Sequence, residues 1–263
     1  GQHFLKSERA LRTIVETGHV GARDTVVEIG PGTGALTKKL LETGAEVIAV
    51  EKDYKLFEFL KDTYKKEAGS GRFKLIHGDI LEFDLSKLVA NSYKLIANIP
   101  YNITGSVFKK FLGAKNQPEL MVLLVQKEVA DRIVGNMPLG GSTSKWKEKE
   151  SILSISVKAY GVPSYVETVK AGSFAPMPKV DSAIIAIENI SKDFFKEINE
   201  SQFFKLLRAG FKSKRKKLSS NLSELFSKEK IKDVFEELNL DENVRAEDLN
   251  IENWQKLAQS LLR

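Results

Sequence analysis

Thr25-Val26-Val27-Glu28-Ile29-Gly30-Pro31-Gly32-Thr33-Gly34-Ala35 runs from a short apolar segment through a glycine-rich turn into the helical pattern Ala35 to Leu41. The five residues Thr25 to Ile29 read as a buried strand. Glycines in the turn let the backbone approach a ligand closely, and the following helix N-terminus presents free N–H groups. Gly30-x-Gly32-x-x-Ala35 also fits the dinucleotide fingerprint with Ala in the third place, so the turn alone admits NAD or another adenosine cofactor.

Strands and helices continue to alternate on both sides of this stretch. A helical pattern through Leu11, Ile14 and Val15 precedes it, after a short arm from Gly1 to Leu5. Strands are expected at Val47 to Glu51, Phe73 to His77, Tyr93 to Ala97 and Leu120 to Val125. Helices are expected at Tyr54 to Lys66, Val107 to Leu112 and Lys127 to about Gly135. Two later runs, Ile152 to Val157 and Ala183 to Ile187, read as strands that complete the sheet with one antiparallel edge. Short apolar strands between helices imply a parallel sheet covered on both faces, so the class is doubly wound α/β. After about Asn189 the pattern becomes all-helical, through Phe203, Leu207, Phe211, Leu218 and Leu222 to Trp254 and Leu261. The expected domains are therefore 1–189, binding a cofactor, and 190–263, a small helical appendage. Gly135 to Glu150, rich in Gly, Ser and Lys, reads as a loop.

The strand ends carry polar residues. Glu51 closes the second strand about 20 residues beyond the glycine turn, where an acid accepts hydrogen bonds from ribose hydroxyls. Gly78-Asp79 follows the third strand, and the Asp79 carboxylate can accept from an adenine amino group. Asn98-Ile99-Pro100-Tyr101 follows the fourth. The Asn98 carbonyl and a neighbouring backbone carbonyl can both accept from an exocyclic amino group, and Pro100 holds the backbone extended. The Tyr101 ring offers a stacking face worth about 1–3 kcal/mol for a nucleobase. Read singly, each of these is an ordinary turn. In a parallel sheet they converge on one crevice. None is a strong base or nucleophile, which suits a reaction in which the protein positions a nitrogen and a cofactor brings the activated group.

Composition narrows the classes. The chain has 263 residues, 42% hydrophobic, and no cysteine, which excludes disulfides and thiolate chemistry and fits a cytoplasmic protein. His3, His19 and His77 lack ligand spacing, so no metal is expected. The longest apolar runs are too short to span a membrane. No signal peptide is read in the opening residues, and the start at Gly1 leaves room for a further N-terminal segment. The net charge of +6 is modest, but Phe203 to Leu218 holds Lys205, Arg208, Lys212, Lys214, Arg215, Lys216 and Lys217 with no acid among them. That cluster is an electrostatic footprint for a polyanion.

The order Glu-Ile-Gly-Pro-Gly-x-Gly, Glu, Gly-Asp, Asn-Ile-Pro-Tyr resembles the S-adenosylmethionine-dependent adenine-N6 methyltransferases. More closely, the chain is similar to the ribosomal RNA adenine dimethyltransferases of the KsgA/Dim type. Gly1-Gln2-His3-Phe4-Leu5, Gln126-Lys127-Glu128-Val129-Ala130, the segment Phe174-Ala175-Pro176-Met177-Pro178-Lys179-Val180-Asp181-Ser182-Ala183, Phe211 to Leu218 and Arg245-Ala246-Glu247 carry the likeness. It extends over essentially the whole chain.

The resemblance implies a seven-stranded Rossmann-like methyltransferase sheet and a helical RNA-binding domain. His3 and Leu5 of the arm, Gly30 and Gly32, Glu51, Asp79 and Asn98 would hold S-adenosylmethionine. Asn98 and the Ile99 carbonyl would hold the target N6, with Pro100 shaping the turn, Tyr101 stacked on the base and Phe174 on its other side. The implied activity is dimethylation of two adjacent adenosines near the 3′ end of small-subunit ribosomal RNA, by a monomer. Two rivals share the fold: an Erm-type large-subunit methyltransferase, and a non-catalytic ribosome-assembly or transcription factor. The family's usual Ser-Lys-x-Tyr-Gly-Arg-Leu-Ser is replaced here by a longer, Lys-rich Gly140 to Ser154 containing Trp146.

Overall fold

The computed structural model describes residues 3–84, 89, 92–135 and 149–263. Gly1, Gln2 and most of the 135–150 loop, including Trp146, lie outside the described residues. The described residues divide into two compact units, one drawn from 1–130 and 162–190, the other from 131–161 and 191–263.

The first unit is built in chain order from β1 (Phe4–Leu5), α1 (Glu8–Thr17), β2 (Thr25–Ile29), α2 (Ala35–Glu42), β3 (Glu46–Glu51), α3 (Tyr54–Thr63), α4 (Lys65–Gly69), β4 (Phe73–His77), β5 (Lys94–Asn98), α5 (Thr104–Leu112) and β6 (Leu120–Gln126). α6 (Lys127–Val134) and α7 (Ile152–Lys158) follow, then β7 (Val162–Val169), β8 (Phe174–Ala175) and β9 (Ser182–Glu188). Seven strands form one sheet in the order β4-β3-β2-β5-β6-β9-β7, and β1 pairs with β8 in a separate two-stranded ribbon. β2 to β6 are mutually parallel. β9 runs against both neighbours, so the reversed strand is the last but one and not the edge.

Local signals set the helices. Ser7 caps α1 by accepting from the Ala10 N–H, and Asp53 caps α3 by accepting from Lys55 and Leu56. Leu11 and Ile14 of α1 and Leu36 and Leu40 of α2 are buried in one cluster with Val26, Val47, Ile96, Val122 and Ile184 of the sheet. Each such side chain contributes about 1.5–3 kcal/mol on burial. β6 reads Leu-Met-Val-Leu-Leu-Val with all six residues buried, as expected of a strand covered on both faces.

One expectation is corrected. Ile152 to Val157 is helical and supplies no strand. Ser151 accepts from the Ser154 N–H at 3.1 Å, while the Ser154 hydroxyl accepts from the Ser151 N–H at 2.7 Å, a reciprocal cap that starts a helix. Ile155 and Ala159, four apart, then bury together in the second unit's core. The edge strand is β7, whose pairing is irregular between Tyr165 and Glu167.

The second unit holds α7 together with α8 (Glu200–Gly210), α9 (Leu218–Leu222), α10 (Lys228–Glu237) and α11 (Ile251–Leu261). Its core gathers Phe203, Leu207, Phe211, Leu218, Leu222, Phe235 and Trp254. The Phe211 and Trp254 rings stack at 5.6 Å.

Candidate active site

A cavity of about 470 Å³ opens at the carboxyl ends of β2, β3, β4 and β5, where the strand order reverses between β2 and β5. In open α/β sheets that reversal is where ligands bind. The arm contributes His3 and Leu5 to its wall, and the turn after β2 contributes Gly30 and Gly32. Glu51 and Asp79 come from the ends of β3 and β4, and Asn98 through Tyr101 from the end of β5.

The glycine turn is shaped for a ligand. Gly30 has φ +61°, and a Cβ there would find no atom closer than Pro100 Cδ at 4.0 Å, so it would project into the open cavity. At Gly32, with φ +60°, a Cβ would come within 2.9 Å of the Phe4 ring. The turn is held from two sides. Gly32 N–H donates to Glu51 Oε2 at 3.1 Å, and the Tyr64 hydroxyl donates to the Gly34 carbonyl at 2.8 Å. Burial pushes the Tyr64 phenol up to about 12, so it remains a donor through the physiological range.

Carboxyl groups dominate the polar lining. Glu28 is 1% exposed and accepts from Thr37 Oγ1 at 2.6 Å. Burial pushes its carboxyl up to about 8, the Thr37 hydrogen bond opposes this, and the nearby Glu51 charge adds to it. Glu51 also accepts from Asp53 N–H at 2.8 Å. Asp79 accepts from Lys52 Nζ at 2.8 Å and from Leu81 N–H at 2.9 Å. Those bonds, Lys52 first, hold its carboxyl below the usual range, so it stays an ionised acceptor. Glu28, Glu51, Asp53 and Asp79 face the cavity with Lys52. That balance suits a ligand with positive charge and several hydrogen-bond donors, which is the character of S-adenosylmethionine.

At the end of β5, Asn98 Nδ2 donates to the His3 carbonyl at 3.2 Å, which leaves Oδ1 as an acceptor. Pro100 has φ −56° and ψ 133°, extended as expected, before a turn of 3₁₀ helix at Tyr101–Ile103 leads into α5. The Tyr101 hydroxyl bonds Ser182 Oγ at 2.8 Å, and the His3 ring stacks on Tyr101 with centroids 5.9 Å apart. His3 Nδ1 bonds the Pro176 carbonyl at 2.7 Å. The arm thus lies against the Asn-Ile-Pro-Tyr motif as well as the cavity.

Phe174 is placed differently from the expectation. It is 5% exposed, sits opposite Leu5 in the β1–β8 ribbon, belongs to the core cluster and does not line the cavity. A large ring gains from burial there. Glu28, Lys52, Tyr64 and Ser182 were not assigned roles by sequence. Glu28 and Ser182 stand inside quoted motifs and Lys52 adjoins Glu51; Tyr64 lies thirty positions from the carbonyl it binds and gave no signal.

The basic residues belong to the second unit. Lys205, Arg208, Lys212, Lys214, Arg215, Lys216 and Lys217 are all exposed. Lys212 pairs with Glu224 at 2.6 Å; among the described residues the other six have no acidic partner. Lys205 and Arg208 lie on α8, and the turn carrying Lys212 to Lys217 is fixed from below by Asn221, a buried side chain whose Nδ2 donates to Gly210 O at 2.6 Å and Ser213 O at 3.1 Å. Among the described residues, no group of three or more possible metal ligands forms, and no helix is long and apolar enough to cross a membrane.

The curated "Ribosomal RNA small subunit methyltransferase A" of Dehalococcoides mccartyi (strain CBDB1) is 42% identical over 261 residues, covering 98% of this chain and 85% of the relative. A crystal structure of a dimethyladenosine transferase from Plasmodium falciparum superposes with a TM-score of 0.78 at 29% identity, over 97% of this chain and 96% of the other. The 23S rRNA methyltransferase ErmE shares the fold, with a TM-score of 0.74 at 21% identity over 99% of this chain and 100% of the other. The profile of the family described as ribosomal RNA adenine dimethylase matches residues 1–262. With that match over nearly its full length, the chain belongs to the ribosomal RNA adenine dimethylase family.

Proposed function

We propose that this protein transfers methyl groups from S-adenosylmethionine to N6 of two adjacent adenosines near the 3′ end of small-subunit ribosomal RNA, as a monomer in the cytoplasm during ribosome biogenesis. The observation that carries this reading is one cavity lined by the glycine turn, Glu51, Asp79 and Asn98 to Tyr101. Gly30 and Gly32 accommodate the amino-acid part of the cofactor, Glu51 its ribose and Asp79 its adenine, with His3 and Leu5 covering it. The bound cofactor supplies an activated methyl carbon, so the protein needs no nucleophile of its own.

The task of the chain is to position the acceptor nitrogen. The N6 lone pair of adenine is delocalised into the ring and is a poor nucleophile. Asn98 Oδ1 and the Ile99 carbonyl accept from the two amino hydrogens, which favours a pyramidal nitrogen with its lone pair exposed. Tyr101, held by Ser182, supplies a stacking face for the base. In each round N6 gains one methyl and loses one hydrogen as a proton to solvent; two rounds exhaust the amino hydrogens. Phe174 supports this indirectly, by pairing with Leu5 beneath the arm. Lys205, Arg208, Lys212 and the run Lys214 to Lys217 contact RNA phosphates.

The test uses radiolabelled S-adenosylmethionine with unmethylated small and large ribosomal subunits side by side. Dimethyladenosine in the small subunit, abolished by Asn98→Ala, is the expected result. Label in the large subunit would instead place the protein with the Erm-type enzymes. Binding without label would mean a role in assembly alone.

A further inference from the structure

An adenine stacked in folded RNA cannot bring its N6 to the bottom of a cavity, so an enzyme acting on such a base draws the nucleotide out and leaves a gap behind. The segment from Phe174 to Ser182 is built to fill one. It is pinned at both ends to residues that line the cavity: Pro176 O bonds His3 at 2.7 Å, and Ser182 Oγ bonds Tyr101 at 2.8 Å. Between them it is stiff. Phe174 and Ala175 are paired in the ribbon, and Pro178 is buried. Asp181 accepts from the Ala171 N–H at 3.0 Å and from Lys170 Nζ at 2.9 Å, and its carbonyl accepts from the Lys127 N–H at 3.0 Å.

From this rigid support Met177 stands out 69% exposed, beside the exposed Lys179. An unbranched thioether on a tethered loop costs exposed apolar surface, and none of the described residues buries it. Val180, also exposed, is short, β-branched and next to the tethered Asp181, so it reaches less far.

We infer that Met177 is a wedge for the RNA: as the target adenosine enters the cavity, the Met177 side chain occupies the place it leaves in the stack. Apolar side chains, methionine among them, are inserted between base steps by other nucleic-acid proteins. Met177 is thus a positioning residue, acting through the RNA stack, and the exposed Lys179 two residues on is available to a flanking phosphate. The inference rests on the proposed reading of the site.

The experiment measures methylation of unmethylated small ribosomal subunits by the wild type, Met177→Ala and Met177→Leu, together with KM for S-adenosylmethionine and thermal stability. The expected result is a fall of about tenfold or more in kcat/KM for the subunit in Met177→Ala, since unstacking costs a few kcal/mol per step. Met177→Leu keeps the apolar bulk and stays within about twofold of wild type, because such volume-conserving swaps perturb little. Cofactor KM and Tm stay unchanged in both. Equal activity of Met177→Ala and wild type overturns the wedge. So does a comparable loss in Met177→Leu, or a rise in cofactor KM, either of which would mean that the loop had been disturbed. Failure of the wild type to label the small subunit would refute the proposed function itself.

Discussion

Replacing Glu28 by glutamine is expected to make the protein progressively more stable than the wild type as pH rises from 5 to 8. The carboxyl is 1% exposed, and its affinity for a proton is raised from 4.5 to about 8, chiefly by burial. Below the unfolded value both states hold the proton, and the site adds no pH dependence. Between the two values the folded state keeps the proton while the unfolded chain releases it, so stability falls with rising pH at about 1.4 kcal/mol per unit. From pH 4.5 to 7 that amounts to about 3 kcal/mol, and above about 8 the loss levels off near 5 kcal/mol as an upper bound. Glutamine never ionises, and its carbonyl oxygen can still accept the Thr37 hydroxyl bond. The assay is thermal unfolding of both proteins from pH 5 to 8.5. The Tm of Glu28→Gln minus that of wild type should grow with pH across this window. A difference that is constant or shrinks would refute the assignment of a protonated, buried Glu28. The same group faces the cavity proposed for the cofactor, so a cationic ligand there favours its ionised form. S-Adenosylmethionine should therefore bind the wild type more tightly as pH rises, with a weaker dependence in Glu28→Gln, measured by titration calorimetry in buffers of different ionisation heat.

Tyr64→Phe removes only the hydroxyl that holds the Gly34 carbonyl, leaving the ring against Phe73. The Gly34 carbonyl keeps its bond from the Lys38 N–H at 2.9 Å, so a loss of about 0.5–1.5 kcal/mol in stability is expected, the net worth of one hydrogen bond, with a raised KM for S-adenosylmethionine and little change in kcat, read by denaturation and steady-state kinetics. Replacing Lys214, Arg215, Lys216 and Lys217 together by alanine should weaken RNA binding and flatten its salt dependence by about 0.7–0.9 in log–log slope for each phosphate no longer neutralised, measured by filter binding from 50 to 200 mM salt. A variant with the wild-type slope would exclude this turn from the RNA interface.

The sheet and its ligand-binding end were legible because several features agreed. Continuous apolar runs as short as Leu120 to Val125, bounded by polar residues, suit strands buried on two faces better than helices, and each glycine or acid fell at a strand end. Ile152 to Val157 was misjudged because short runs mixing Ile, Ser and Val suit period two as well as period 3.6. The reciprocal bonds of Ser151 and Ser154 decided the matter, and a Ser-x-x-Ser spacing is a weaker cap signal than Ser-x-x-Glu. β7 escaped notice because its irregular pairing breaks the alternation that marks a strand. Phe174 is expected at the base because the family resemblance implies it; its pairing with Leu5 and its place in the core are long-range contacts that spacing does not carry. The contacts of His3 with Asn98, Tyr101 and Pro176 span up to 173 positions and could not be read from spacing at all.

Asn221 has a consequence for the thermodynamics of RNA capture. By bonding Gly210 and Ser213 from beneath, it gives the cationic turn its shape before any RNA arrives. A basic segment that must fold onto its target loses chain entropy and buries new surface, which appears as a large negative heat-capacity change. Here the lysines and arginine stand on a backbone already ordered, so counterion release, an entropic gain, drives the encounter. Binding through this turn should be nearly athermal at 25 °C, with a heat capacity that barely moves. In Asn221→Ala the same charges would sit on a looser chain, and association would acquire the calorimetric signature of coupled folding.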